Sequence, residues 1–338
     1  MLKKIVKSNE FITFTVIVIL SLIIGSINKA FFSFATVFDI LRASIVISIM
    51  AFGLLPVIIS GSVDISFVAI CALSAYTTHI FLLNQGYQGG IWLYYIIASI
   101  IGMAAGGFNG FLVTKFKLPI FNVSLATFTL WYGFIRFFIG STRSFTLPAG
   151  AVDFYNKFLV TVKDPFVGDS GLHISILFVL IIGVLIHIML KYTTLGRGIY
   201  AIGGNRDVAI RSGFNVNLII MVILIIMGGT AAFAGVTYSF LSRHFDPTLF
   251  ITQDMDVIAA VIIGGASING GNGSILGTFM GVILIQLIHR SMILTGIPTE
   301  WQDFMIGILL IFFICIPFIR DFIKKRSTSR AAASSKEI

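Results

Sequence analysis

Long apolar runs alternate with short polar breaks along almost the whole chain. The runs are Phe11–Ile27, Ala43–Ile59, Phe67–Leu83, Ile91–Thr114, Pro119–Gly140, His173–Leu190, Asn217–Leu241, Val257–Gly265, Ile275–Leu294 and Trp301–Ile319. About 20 mostly apolar residues cross a bilayer core as a helix. The pattern therefore predicts an all-α, polytopic helical membrane protein with about ten transmembrane helices, the eighth weak because Gly and Asn interrupt it. Two breaks interrupt the hydrophobic pattern without leaving the membrane region for long: Ser60–Ser66 (SGSVDIS) and Gly264–Gly277 (GGASINGGNGSILG). Non-helical backbone at membrane depth survives only inside protein or beside a water-filled cavity, and transporters build discontinuous helices this way. Two polar segments are longer. Residues 141–171 hold Pro148, Asp153, Lys157, Lys163, Asp164, Pro165 and Asp169; Lys191–Val216 (KYTTLGRGIYAIGGNRDVAIRSGFNV) is dense in Lys, Arg, Gly and Asn.

Composition sharpens this picture. Of 338 residues, 57% are hydrophobic and 11% charged, with a mean hydropathy of +1.01, whereas soluble domains carry roughly 25% charged residues. The net charge of +9 does not indicate nucleic acid, because the basic residues are spread over loops and tails rather than one soluble face. They fix orientation instead. With the N-terminus inside and the runs alternating, the inner side holds Lys3, Lys4, Lys7, Lys115, Lys117, Lys191, Arg197, Arg206, Arg211, Arg320, Lys324, Lys325, Arg326, Arg330 and Lys336. That bias puts both termini in the cytoplasm by the positive-inside rule. Phe11–Ile27 is too long for a cleaved signal peptide and ends in Asn28-Lys29. Residues 1–10 read as a cytoplasmic basic tail, and 321–338 as a disordered one.

Candidate chemistry is sparse. Cys71 and Cys315 lie in apolar runs and read as small buried hydrophobes. The five histidines show no metal-ligand spacing, so no metal site is expected. Gly265–Gly271 lacks the Lys of a phosphate loop, Gly271-Asn272-Gly273 lacks the third glycine of a dinucleotide site, and Gly265-Ala266-Ser267-Ile268-Asn269 misses a nucleophile elbow at its last residue. No enzyme is indicated and no cofactor is expected on this chain. Asp64 has two readings: an intramembrane carboxylate marking a path or a partner, or a cap flanked by the turn formers Ser62 and Ser66. Asn109, Asn122, Thr127, Arg136, His187 and Gln286 sit within spans, and such residues mostly bond one another across helix interfaces. Gly102, Gly106, Gly107 and Gly110 are spaced for close helix packing. Within 191–216, Asp207 suits the first turn of a short helix and Gly213 a left-handed end; the alternative is a solvated loop whose charges only set topology.

Three blocks carry a family resemblance. Gly61-Ser62-Val63-Asp64-Ile65-Ser66 is similar to a G-x-D-L-S segment, Lys191–Gly213 to a cytoplasmic loop, and Asp254–Thr278 to a glycine-rich block, with a weaker match at Gly110–Pro119. Together they resemble the membrane permeases of bacterial ABC importers, in the ribose/monosaccharide branch related to the branched-chain amino-acid permeases. The resemblance implies a permease domain over 11–320 in the cytoplasmic (inner) membrane, an extracytoplasmic segment at 141–171 and a cytoplasmic coupling loop at 191–216. It also implies a second permease chain, identical or related, cytoplasmic ATPase subunits that use ATP-Mg, and an extracytoplasmic solute-binding protein. Asp207, Ala209 and Gly213 align with an E-A-A-x-x-x-G coupling pattern, with Asp for Glu and Val208 for the first Ala. On this reading Gly203, Gly204, Asn205, Arg206, Asp207, Ala209, Arg211, Ser212 and Gly213 dock the ATPase. Ser62, Asp64, Ser66, Asn109, Asn122, Gly264, Gly265, Ser267, Asn269, Gly270, Gly271 and Gly273 serve the pathway or its gate. The solute is a ribose-like pentose or a hexose, with nucleosides, a furanosyl signal and branched-chain amino acids served by relatives. An ion-gradient transporter is the alternative from another class; it would need several intramembrane carboxylates, and Asp64 is the only strong one. A channel would show a filter or a charged ring, and neither is present.

Overall fold

The computed structural model describes residues 9–164, 168–251, 253–298 and 300–315; most of both tails lies outside them. In chain order the helices are α1 (Asn9–Ile27), α2 (Phe34–Ile59), α3 (Phe67–Asn84), α4 (Trp92–Phe116), α5 (Ile120–Phe134) and α6 (Ala149–Tyr155). They continue as α7 (Ile176–Tyr192), α8 (Thr194–Gly204), α9 (Arg206–Arg211), α10 (Val216–Ser242), α11 (Asp254–Ile263), α12 (Ile275–Thr295) and α13 (Trp301–Cys315). Six of these, α1, α2, α3, α4, α10 and α12, are long and apolar enough to cross a membrane, or seven if the bent pair α7–α8 is one span.

The shortfall from ten has local causes. The fifth apolar run breaks from α-helix into a π turn at Ile135–Ile139. The eighth gives only the 10-residue α11, about 15 Å long and half a bilayer core. The tenth is described only as far as Cys315. The protein is also not purely helical. Strands β1 (Phe158–Asp164) and β2 (Gly168–His173) form an antiparallel hairpin in the segment after α6, and it packs on α2.

Helix α2 is the axis. Of its most apolar window, 89% is buried, against 17% for α1. It packs against α10, α12, α7, α11 and the hairpin, so a helix that reads as lipid-soluble along its whole length is instead covered by protein. In lipid there is no hydrophobic force between helices, and close van der Waals contact has to hold them. The α4–α10 crossing, the most extensive in the fold, meets that need with glycines. A Cβ on Gly102 would lie 2.3 Å from the Gly228 carbonyl oxygen, and one on Gly106 2.2 Å from that of Leu224. Gly107 has only Ile225 side-chain atoms, at 3.5 Å or more. Gly106→Ala should therefore lose about 2 kcal/mol of stability through overpacking while Gly107→Ala is neutral; equal thermal midpoints of the two variants in detergent would refute this packing account.

At the end of the bundle where α3 and α10 finish, backbone and side chains tie the loops together. Ser144 and Phe245 exchange backbone hydrogen bonds, the Tyr76 hydroxyl donates to the Thr142 carbonyl at 2.8 Å, and Arg143 pairs with Asp246 at 2.6 Å. Burial would raise the Asp246 carboxyl, but the Thr248 hydroxyl and amide and the Arg143 guanidinium outweigh it and hold it below the ordinary carboxylate value. A depressed carboxyl stabilises above its unfolded pKa, so this clamp weakens only as pH falls through the acid range. Cys71 is buried as expected, but Cys315 is exposed on α13.

Candidate functional site

The polar segment Lys191–Val216 folds as two short helices. At Thr193 the chain turns by 72° between α7 and α8; Thr193 accepts from the Gly196 amide at 3.1 Å and so caps α8. Asn205 ends α8 and caps α9, accepting from the amides of Asp207 and Val208 at 3.0 and 3.1 Å. Asp207 sits in the first turn of α9, where its charge suits the helix dipole, and Gly213 closes it with φ +84°. Helix α9 thus lies where Asp207 and Gly213 placed it. The preceding α8, spanning Thr194–Gly204, was not anticipated, although its helical spacing puts Ile199 and Ile202 on the buried face.

Three distant stretches meet beneath α8. The Gly271 amide donates to the Ile59 carbonyl at the end of α2 (2.8 Å), and the Tyr200 hydroxyl donates to the Gly273 carbonyl (2.8 Å). Gly203 of α8 fits between them: a Cβ there would lie 1.8 Å from the Ile59 oxygen and 2.4 Å from the Gly271 nitrogen. Gly270, at φ +85°, leaves no room either, since its Cβ would lie 2.7 Å from the Gly203 Cα and 2.8 Å from the Gly61 Cα. The two glycine-rich breaks, far apart in the sequence, and the polar loop therefore form one backbone-on-backbone junction. Gly264 sits a little apart, packed against Gly277 where α11 crosses α12. Gly265 turns at φ +95°, and Ser267 closes the loop by accepting from the Gly270 amide and donating its own amide to the Asn272 carbonyl. Asn269 is exposed, and its carbonyl oxygen lies 3.4 Å from the place of a Cβ on Gly61.

The exposed face of α9 carries Arg206, Asp207 and Arg211, with Ser212 and Gly213 just after it. Ala209 points the other way and is fully buried, so it anchors the helix to the body. Val208 and Ile210 are 53% and 54% exposed. The sequence reading did not single out this apolar pair; two apolar residues among charges on a helix with one buried Ala are the signal that could have found it.

Asp64 is fully buried just before α3. Its Oδ1 accepts from the Ser66 amide at 2.7 Å and the Ser66 hydroxyl at 2.6 Å, and Asn109 of α4 donates its side-chain amide to the same hydroxyl at 2.7 Å. The carboxylate therefore acts as a cap, but a buried one that links α3 to α4. Asp64 Oδ2 and Asn109 Oδ1 are buried without a hydrogen-bond partner. Ser62 stays beside the junction through its amide hydrogen bond to the Val57 carbonyl. Asn122 is exposed on α5 and joins neither cluster. The expected pairing of polar residues within spans also fails for Gln286, which is buried without a partner among the described residues. Thr127 bonds within its own helix, and Arg136 is exposed. Among the described residues no group of acidic, His or Cys side chains could hold a metal.

A buried axial helix, six or seven helices long and apolar enough to cross a membrane, and a surface helix pair seated on the end of that axis describe a polytopic helical membrane protein. The family described as "Branched-chain amino acid transport system / permease component" matches residues 36–314. Over 304 residues the chain is 30% identical to the ribose import permease protein RbsC of Haemophilus influenzae, covering 90% of this chain and 91% of that one. It is 29% identical over 314 residues to the autoinducer 2 import system permease protein LsrC of an Enterobacter species, covering 92% and 87%. No solved structure matches. The chain belongs to this permease family, in the ribose/monosaccharide branch of ABC importer permeases. It is a transport subunit, multi-pass in the bacterial inner membrane.

Proposed function

We propose that the chain forms the pathway of an ATP-driven importer for a small sugar, crossing the membrane ten times with both termini in the cytoplasm. It works with a second permease chain, cytoplasmic ATPase subunits that bind and hydrolyse ATP-Mg, and an extracytoplasmic binding protein. Helix α9 docks the ATPase. The observation that carries this reading is the glycine junction, which seats α8 directly on the end of α2 and the loop after α11. A displacement of α8–α9 is then passed to the most buried helix without a flexible step. Coupling requires one element that both sites bias, and α8 with its junction supplies it. The exposed Val208 and Ile210 give the docking face apolar contact, and Arg206 and Arg211 give it charge for acidic residues on the ATPase. Relatives are import permeases for ribose and autoinducer 2, which favours a sugar over a branched-chain amino acid.

The test is co-purification from detergent extract, with ATPase activity assayed on what binds. Wild type should bring down an ATPase. The double variant Arg206→Glu with Arg211→Glu should lose it, with uptake falling at least tenfold and thermal stability unchanged, because both side chains are exposed. Normal ATPase binding and uptake in that variant would rule out charge-dependent docking at α9. Uptake that instead follows an ion gradient, with no ATPase bound, would overturn the importer reading.

A further inference from the structure

The end of the bundle opposite the junction is hollow. A cavity of about 630 Å³ opens between the first half of α2, the ends of α10 and α12 and the starts of α11 and α13. That is within the range of small-molecule sites, roughly 300–1,000 Å³. Gln253, which precedes α11, and Asp256 in its first turn both line the cavity, the first exposed and the second half-buried.

The lining is polar, and much of it is already paired. Asp39 of α2 is ion-paired with Arg290 of α12, and Asp256 faces His289 at 3.9 Å. Gln286 is different. It is 6% exposed, lines the cavity, and makes no hydrogen bond among the described residues. Its amide atoms are not sealed in the interior but open onto the cavity, so both its donor and its acceptor are free to bond a polar occupant. Gln302 of α13 offers a second amide, also unpaired among the described residues, on the same cavity. The charges on the wall are of mixed sign, with three carboxylates, Asp39, Asp256 and Asp303, against two guanidiniums, Arg42 and Arg290. An anion would meet net repulsion there. The Tyr238 and Phe250 rings, 4.7 Å apart, supply an apolar face to the same space. Carboxylate acceptors, amides that both donate and accept, and an aromatic face together match a neutral ring compound bearing several hydroxyls.

We propose that this cavity is a binding subsite for a neutral monosaccharide within the permease itself, with Gln286 and Asp256 hydrogen-bonding its hydroxyls. It rests on the importer reading for its place in transport but predicts binding without any partner. The solute would then be held at the face where it is delivered, before release near the glycine junction.

The experiment is ligand-observed saturation-transfer NMR on the full-length chain in lipid nanodiscs. The probes are D-ribose, D-xylose and D-glucose, with L-leucine and inorganic phosphate for comparison. Saturable binding of at least one sugar is expected, undisplaced by leucine or phosphate. Gln286→Leu keeps the volume and removes the amide, so sugar affinity should fall at least fivefold, the loss of about one hydrogen bond, while the thermal midpoint holds or rises. A side chain with a merely structural role would show the opposite. Asp256→Asn, which keeps the shape of the side chain, should weaken sugar binding as well. The proposal is overturned if wild type binds none of the sugars, if both variants bind as wild type does, or if leucine displaces the sugar. ATPase co-purification is measured on the same wild-type protein. Sugar binding without a bound ATPase would remove the importer reading and leave the subsite standing; a bound ATPase without sugar binding would do the reverse.

Discussion

Gly203→Ala is expected to abolish uptake and to cost about 3 kcal/mol of stability, although it adds one methyl group. The Cβ would lie 1.8 Å from the Ile59 carbonyl oxygen and 2.4 Å from the Gly271 nitrogen. Both are backbone atoms, already joined to each other by a hydrogen bond, so neither can rotate away as a side chain would. Either α8 lifts off the junction or the Gly271–Ile59 bond breaks, and in both cases α9 is no longer rigidly connected to α2. The neighbouring Gly204→Ala is the control. It also ends α8, yet a Cβ there meets nothing within 4 Å, and uptake and thermal midpoint should stay at wild-type values. The two variants differ by one position in sequence and carry the same added methyl. Uptake and detergent thermal unfolding, measured side by side, decide the matter: equal behaviour of the pair would show that the junction neither holds the fold nor transmits motion.

Much of this was legible in the amino-acid pattern, and the limits have physical causes. The apolar runs located α1 to α4, α10 and α12 because a helix in lipid must be apolar over its whole length, a strong and simple signal. The short helix at Arg206–Arg211 was legible from Asp207 and Gly213, whose cap chemistry is local. The stripe at Gly102 and Gly106 was legible too, since small residues one turn apart mark a close crossing. Hydropathy could not show that α2 is sheathed by protein rather than lipid, because Leu and Ile suit both surroundings equally. It also passed over the hairpin: Phe158–Asp164 alternates as a strand should, but lies within a segment marked chiefly by its charges and prolines. The meeting of Gly61, Gly203 and Gly270 was not readable either. Each glycine signals only a tight local backbone, and which tight backbones touch is decided by tertiary packing. For Gln286, a partner across an interface was the reasonable expectation; the cavity that denies it one is a property of five helices together.

Asp64 yields the second large effect, and its two variants separate the readings left open by the sequence. Asp64→Ala removes the acceptor of two hydrogen bonds from Ser66 and leaves the Ser66 amide unsatisfied in the interior. Hydrogen bonds to a charged group contribute roughly 1.5–3 kcal/mol each, so a loss on the order of 3 kcal/mol is expected, with little folded protein recovered. Asp64→Asn should behave very differently. Its carbonyl oxygen can keep both bonds from Ser66, and its amide brings a donor to a cluster in which Asp64 Oδ2 and Asn109 Oδ1 are buried acceptors without partners. Stability at or above wild type, with uptake retained, is the expected result, and it would fix Asp64 as the cap that joins α3 to α4. The contrary outcome is equally informative. A well-folded Asp64→Asn protein with uptake lost would mean that the site needs an ionisable group, and sensitivity of wild-type uptake to a protonophore would then point to ion coupling through this carboxylate. The importer reading requires uptake to follow ATP, and the cap reading requires it to survive the exchange of carboxylate for amide.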